Sequence, residues 1–103
     1  MILVDEIREY NRGPARNRLW CHMASDDLTD AGMEELHAMA QMLGLQRGWF
    51  QDHPNHPHYD LPPPVREAAI HLGAVPVTSR ELVARCSRLM IARRAAKAGK
   101  VEE

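Results

Sequence analysis

Leu19-Trp20-Cys21-His22-Met23-Ala24-Ser25-Asp26-Asp27-Leu28-Thr29-Asp30 is the stretch on which the fold turns. Its first half reads as a strand, since side chains two apart share a face. Leu19, Cys21 and Met23 fall on one face; Trp20, His22 and Ala24 fall on the other. Its second half is a helix entry. Thr29 or Asp30 can offer a side-chain oxygen to the unpaired N–H groups of a first helical turn. Met33, Leu36, Ala40 and Leu43 then recur at spacings of three and four, the apolar face of a helix over about residues 31–43. Gly44 suits the left-handed position that ends such a helix.

Working outward, Ile2-Leu3-Val4-Asp5-Glu6-Ile7 predicts a short buried strand ending near the acids. Residues 9–17, with Gly13-Pro14, read as a loop. Residues 45–61 show no regular pattern, and Pro54 and Pro57 argue against a helix or a central strand there. Pro62-Pro63-Pro64 followed by Val65, Ala69, Leu72 and Gly73 predicts a short helix, because proline suits a first turn and glycine an end. Ala74-Val75-Pro76-Val77 predicts a third strand at a sheet edge, as Pro76 has no N–H for a ladder. Thr78-Ser79-Arg80-Glu81 fits a capping box for a last helix carrying Leu82, Cys86, Leu89 and Met90 inward. The order is β-β-α-loop-α-β-α. It predicts a small α/β sandwich, with a mostly parallel or mixed sheet of about three strands and about three helices. Residues 1–94 form one domain and residues 95–103 a frayed tail. In a mainly parallel sheet, Asp5, the Ser25–Asp27 turn and Thr78 would gather beyond the strand ends.

The chain has 103 residues, 45% hydrophobic and 26% charged, with a formal net charge of −1. That balance excludes a disordered polyelectrolyte and a uniformly basic nucleic-acid coat. The opening run Met1-Ile2-Leu3-Val4 meets Asp5 and Glu6 at once, so it is neither a membrane span nor a signal core. A cytoplasmic protein is expected. Cys21 and Cys86 stand in no metal-ligand spacing and read as free thiols. Aromatics are 5%, so a core of Leu, Ile, Val, Met and Ala is small, and a homodimer would help it. Residues 1–60 carry ten acids against five Lys or Arg; residues 78–103 carry three acids against seven.

Val4-Asp5, Cys21-His22-Met23, Leu36-His37-Ala38, Leu43-Gly44-Leu45, Trp49-Phe50-Gln51, Pro57-His58-Tyr59-Asp60, Gly73-Ala74 and Val77-Thr78-Ser79-Arg80-Glu81 occur in that order. Together they resemble a small bacterial and phage family, domain of unknown function 4031, over about residues 2–85. The resemblance implies an intact family fold and a site location, and it brings no activity with it. Relative to that family, the chain has extra residues around 27–32 and a Pro62-Pro63-Pro64-Val65 run before Arg66.

The polar run His58-Tyr59-Asp60 is the richest in chemistry. Histidine exchanges a proton near neutral pH, tyrosine donates to an oxyanion, and aspartate orients histidine or holds a cation. On an extended chain, His58 and Asp60 face one way and Tyr59 the other. The plainer reading has Tyr59 packing and Asp60 capping the helix near Pro62. His58, Asp60, Tyr59 and His37 are the catalytic candidates; Asp5, His22, Arg66 and Gln51 are the candidate ligand contacts. His53, His56 and His58 form a histidine tract able to take a divalent metal, with Asp60 as an oxygen donor.

Three functions follow. The first is a His/Tyr/Asp pocket binding, and hydrolysing, a small anionic or nucleotide-like ligand. The second is nucleic-acid binding through Arg85, Arg88, Arg93, Arg94, Lys97 and Lys100 of the last helix. The third is a metal-dependent hydrolase or nuclease built on Asp5, His22 and the histidine loop. No glycine-rich phosphate loop or nucleophile elbow is present.

Overall fold

A computed structural model describes residues 1–10 and 18–101. Strands β1 (Ile2–Val4), β2 (Arg8–Tyr10), β3 (Arg18–Ser25), β4 (Tyr59–Leu61) and β5 (Val75–Pro76) form one mixed sheet. Helices α1 (Asp30–Met42), α2 (Pro63–His71), α3 (Ser79–Cys86) and α4 (Arg88–Val101) complete the chain, with a 3-10 turn at Arg47–Trp49. The α/β sandwich predicted above is present, with more strands and one more helix than expected. The sheet is mostly antiparallel: β3 runs against β1, β2 and β4, while β1 and β5 run parallel.

β3 is the spine, and its alternation builds both layers. Cys21 and Met23 face a core with Leu36, Met39 and Ala40 of α1 and Ala69 of α2. Tyr59 and Leu61, their partners across the β3–β4 ladder, face the same core. Ala24 and Leu3, paired across β3 and β1, face the opposite way onto Leu82 and Cys86 of α3. On α2, Val65 and Ile70 pack on the core; Leu72, expected inside, is exposed. Burial pushes both cysteine thiols up to about 12, so they serve as packing rather than as nucleophiles. Among the described residues, no helix is long and apolar enough to cross a membrane.

Three local readings are corrected. Glu9 and Tyr10, read as loop, belong to strand β2: it pairs with the exposed half of β3, where neither face is buried and no alternation is written. The rest of that loop, residues 11–17, lies outside the described residues. Tyr59–Leu61, read as irregular, is a strand because it fits between Pro57 and Pro62, leaving all three of its N–H groups available. The last helix breaks at Ser87, which is extended and buried. The Ser87 hydroxyl donates to the Asn55 carbonyl oxygen at 2.8 Å, which also accepts from the Leu89 N–H at 2.8 Å. The Arg88 N–H donates to the Asn55 backbone carbonyl at 2.8 Å. The break thus pins the histidine loop, and Leu89 is exposed.

Antiparallel pairing also sends the Ser25–Asp27 turn to the end of the sheet away from Asp5. Asp26 there meets the Met1 ammonium at 2.9 Å and Arg85 at 2.9 Å. Burial alone would raise the Asp26 carboxyl, but these two cations outweigh it and hold the group below its usual value. A carboxyl with a lower pKa folded than unfolded adds stability above the unfolded value, and that stability is lost as pH falls through the folded one. The stability difference between the wild type and Asp26→Asn is expected to be constant near neutrality. It should close on acidification below about pH 4, which urea titrations across pH would read.

Candidate metal centre

The register of β4 on β3 sets His22 directly opposite Asp60. Both lie on the face that α3 covers only in part, so the His22 side chain keeps 32% of its exposure. His58 is held one residue before β4 by a bridge to Gln51, with backbone bonds of 2.9 and 3.1 Å. Its imidazole stands edge-on to that of His22, ring centres 5.0 Å apart.

Asp5 reaches the group through a defect in the sheet. β1 and β2 pair with successive parts of β3, and their registers differ by one residue. The extra residue makes a bulge between Val4 and Arg8, which re-aims the side chains it contains. The Asp5 carboxylate, almost fully buried, accepts from the His22 backbone N–H at 2.6 Å and from the His22 Nδ1–H at 2.9 Å. Arg66 Nε–H donates to the Asp5 carbonyl at 2.7 Å and fixes the bulge. Burial works against ionisation of Asp5, yet the His22 bonds outweigh it and hold the carboxyl below its usual value.

A carboxylate accepts only, so His22 Nδ1 is the donor and the neutral ring carries its lone pair on Nε2. His58 is arranged likewise: its Nδ1–H donates to the His56 carbonyl at 2.8 Å. The two Nε2 atoms lie 4.0 Å (His22) and 3.4 Å (His58) from Asp60 Oδ1. Gln51 Nε2 donates to the other Asp60 oxygen. Burial favours neutral groups, but the His58–Asp60 contact outweighs it, raising the His58 pKa and lowering that of Asp60. His22, His58 and Asp60 are the group among the described residues whose donor atoms all lie close enough to share one metal ion.

The family model described as Protein of unknown function (DUF4031) matches residues 2–89. The chain belongs to the DUF4031 family. No curated protein and no solved structure matches it. In this DUF4031 chain the eight candidate catalytic and ligand-contact residues divide into two groups. His22, His58, Asp60, Asp5 and Gln51 meet on one face, with Arg66 bracing Asp5. Tyr59 and His37 meet on the other: the Tyr59 hydroxyl and His37 Nδ1 are 2.7 Å apart, and Phe50 stacks edge-on against His37. They line a separate groove with Asp30, Glu34 and Arg47.

His53 and His56 stack on each other and stay out of the donor group. His53 Nδ1 accepts from the N–H groups of Asn55 and His56, so it shapes the loop. Asp60 does not cap α2: among the described residues, no side chain caps that helix. The basic stripe is partly committed, since Arg85 binds Asp26 and Arg88 donates to the Pro54 carbonyl. Arg8 and Ser79, neither of them among the site candidates from the sequence, line a small cavity of about 220 Å³ beside His22 and His58. Neither belongs to any chemical motif; the β-bulge and the start of α3 bring them there.

Proposed function

We propose that this chain is a metal-dependent hydrolase, holding one divalent cation on His22 Nε2, His58 Nε2 and an Asp60 oxygen. The observation that carries the reading is the orientation of both imidazoles. Each donates its Nδ1–H to a fixed oxygen, Asp5 for one ring and the His56 carbonyl for the other, and so offers Nε2 towards Asp60. Metal-ligating histidines are oriented in this way, by a carboxylate or carbonyl on the far nitrogen. Donors bonded to a tetrahedral ion at about 2.0–2.2 Å lie roughly 3.4 Å apart, close to the spacings found here.

Two nitrogens and one carboxylate suit zinc or another first-row dication and leave a position for water. The cation would lower the pKa of that water to about 7, giving a hydroxide nucleophile at neutral pH. Asp5 would steady the charge that His22 shares with the metal, and Gln51 would hold Asp60 in place. The adjoining cavity admits a small substrate, with Arg8 at its wall to meet an anionic group.

The test uses tag-free full-length protein, stripped with chelator and titrated with Zn²⁺ and Mn²⁺. One equivalent bound per chain, a rise in melting temperature that grows with free metal, and metal-dependent hydrolysis of a nitrophenyl phosphate ester are expected. Sub-stoichiometric metal with an unchanged melting temperature would reject the centre.

A further inference from the structure

Two cavities meet at the proposed centre. The small one lies against His22 and His58. A larger groove, about 610 Å³, has Asp60 and Gln51 in its lining. It is lined by Trp20 and Trp49, by apolar side chains that include Leu45 and Val65, and by Arg18. Trp20 and His22 are two apart on β3 and share a face, so the groove and the centre are built on one strand.

The groove's chemistry is specific. Trp49 keeps 53% of its exposure although it is a large apolar side chain. The Trp20 indole N–H is buried and has no acceptor among the described residues. Two indoles and an apolar lining suit a flat aromatic ring, and the adjoining centre suits an anionic group attached to it. The volume falls in the range of small-molecule sites, roughly 300–1,000 Å³. Stacking on aromatic side chains recognises any base, because every base has a π-face.

We propose that this groove is the base subsite of a nucleotide, which directs its phosphate towards the His22–His58–Asp60 cation. The phosphate half of the proposal rests on the metal centre; stacking of the base does not.

The chain has two tryptophans, so the two indole N–H resonances of the full-length protein give a direct readout. Adenosine, AMP and ribose 5-phosphate are titrated into Zn²⁺-loaded and chelated protein. Adenosine and AMP should move both resonances in either form, and ribose 5-phosphate should leave them in place. Zn²⁺ should tighten AMP at least about tenfold while leaving adenosine unchanged. Trp49→Ala should weaken AMP at least about fivefold, in keeping with the loss of one stacking partner, without changing Zn²⁺ affinity.

Indole resonances that ignore adenosine and AMP while Zn²⁺ still binds would overturn the subsite and leave the centre standing. Resonances that respond to adenosine in a protein that binds no Zn²⁺ would overturn the centre and the phosphate half alone. Benzoate binding as tightly as AMP, or ribose 5-phosphate competing equally with AMP, would overturn a nucleotide as the occupant.

Discussion

His58→Ala is expected to abolish stoichiometric binding of Zn²⁺ while the protein stays folded. The ring is one of only three donors brought within reach of one ion among the described residues. Its removal leaves two donors of the three, His22 Nε2 and Asp60 Oδ1, 4.0 Å apart. Loss of an outer hydrogen bond to a ligand costs about 10–100-fold in metal affinity, and loss of the ligand itself should exceed that. Folding is expected to survive because His58 lies outside both apolar clusters, and its loop is pinned independently through Asn55. Asp5→Asn should fall in the intermediate range, since it disturbs the orientation of His22 and removes no donor. His53→Ala is the control and should bind metal as the wild type does, because that ring is turned into its own loop. Titration calorimetry against Zn²⁺, with circular dichroism of each variant, would order the three. Unchanged affinity in His58→Ala would remove the centre.

Gly32→Ala is expected to destabilise the protein by about 3 kcal/mol, the upper part of the range for forced overpacking. Helix propensity alone gives the opposite sign, since alanine is favoured over glycine inside a helix by about 1 kcal/mol. The reason is a close approach of backbone to backbone in the first turn of α1. A Cβ at this position would press into the Asp27 carbonyl, whose carbon would stand only 2.6 Å away. Asp27 has little room to yield. Its N–H donates to the Ser25 hydroxyl, and its carboxylate accepts from both the N–H and the hydroxyl of Thr29, the helix cap. For a domain of this size, such a loss lowers the melting temperature by more than about 10 °C. A thermal melt that rises on substitution would show that the turn can open and that propensity governs the site.

The secondary structure that follows from local rules was legible. The alternation of β3, the stripe of α1, the Thr29 and Thr78 caps and the prolines opening α2 all act within a few residues of chain. Each of these elements has the place that its own side chains require. β2 and β4 were not legible, because each is a short run that becomes a strand only when β3 lies beside it. The helix break at Ser87 was hidden for a similar reason. It carries neither glycine nor proline, and its partner Asn55 is distant in sequence.

The site divides along the same line. Local chain chemistry was enough to show the residue types, imidazoles and carboxylates in a proline-bounded loop, and that Tyr59 faces away from His58 and Asp60. That follows from the two-residue period of an extended chain. Which histidine joins which carboxylate was decided only by tertiary structure. A one-residue bulge swings Asp5 beneath His22, and the β3–β4 register sets His22 across from Asp60. Asn55, bonded to Ser87 and to the start of α4, holds the loop that presents His58. Register and bulge are set by the burial of Cys21, Met23, Tyr59 and Leu61 on the opposite face of the sheet. The polar group is thus placed by side chains buried on the far face of the sheet, which is why its own residues could not announce the arrangement.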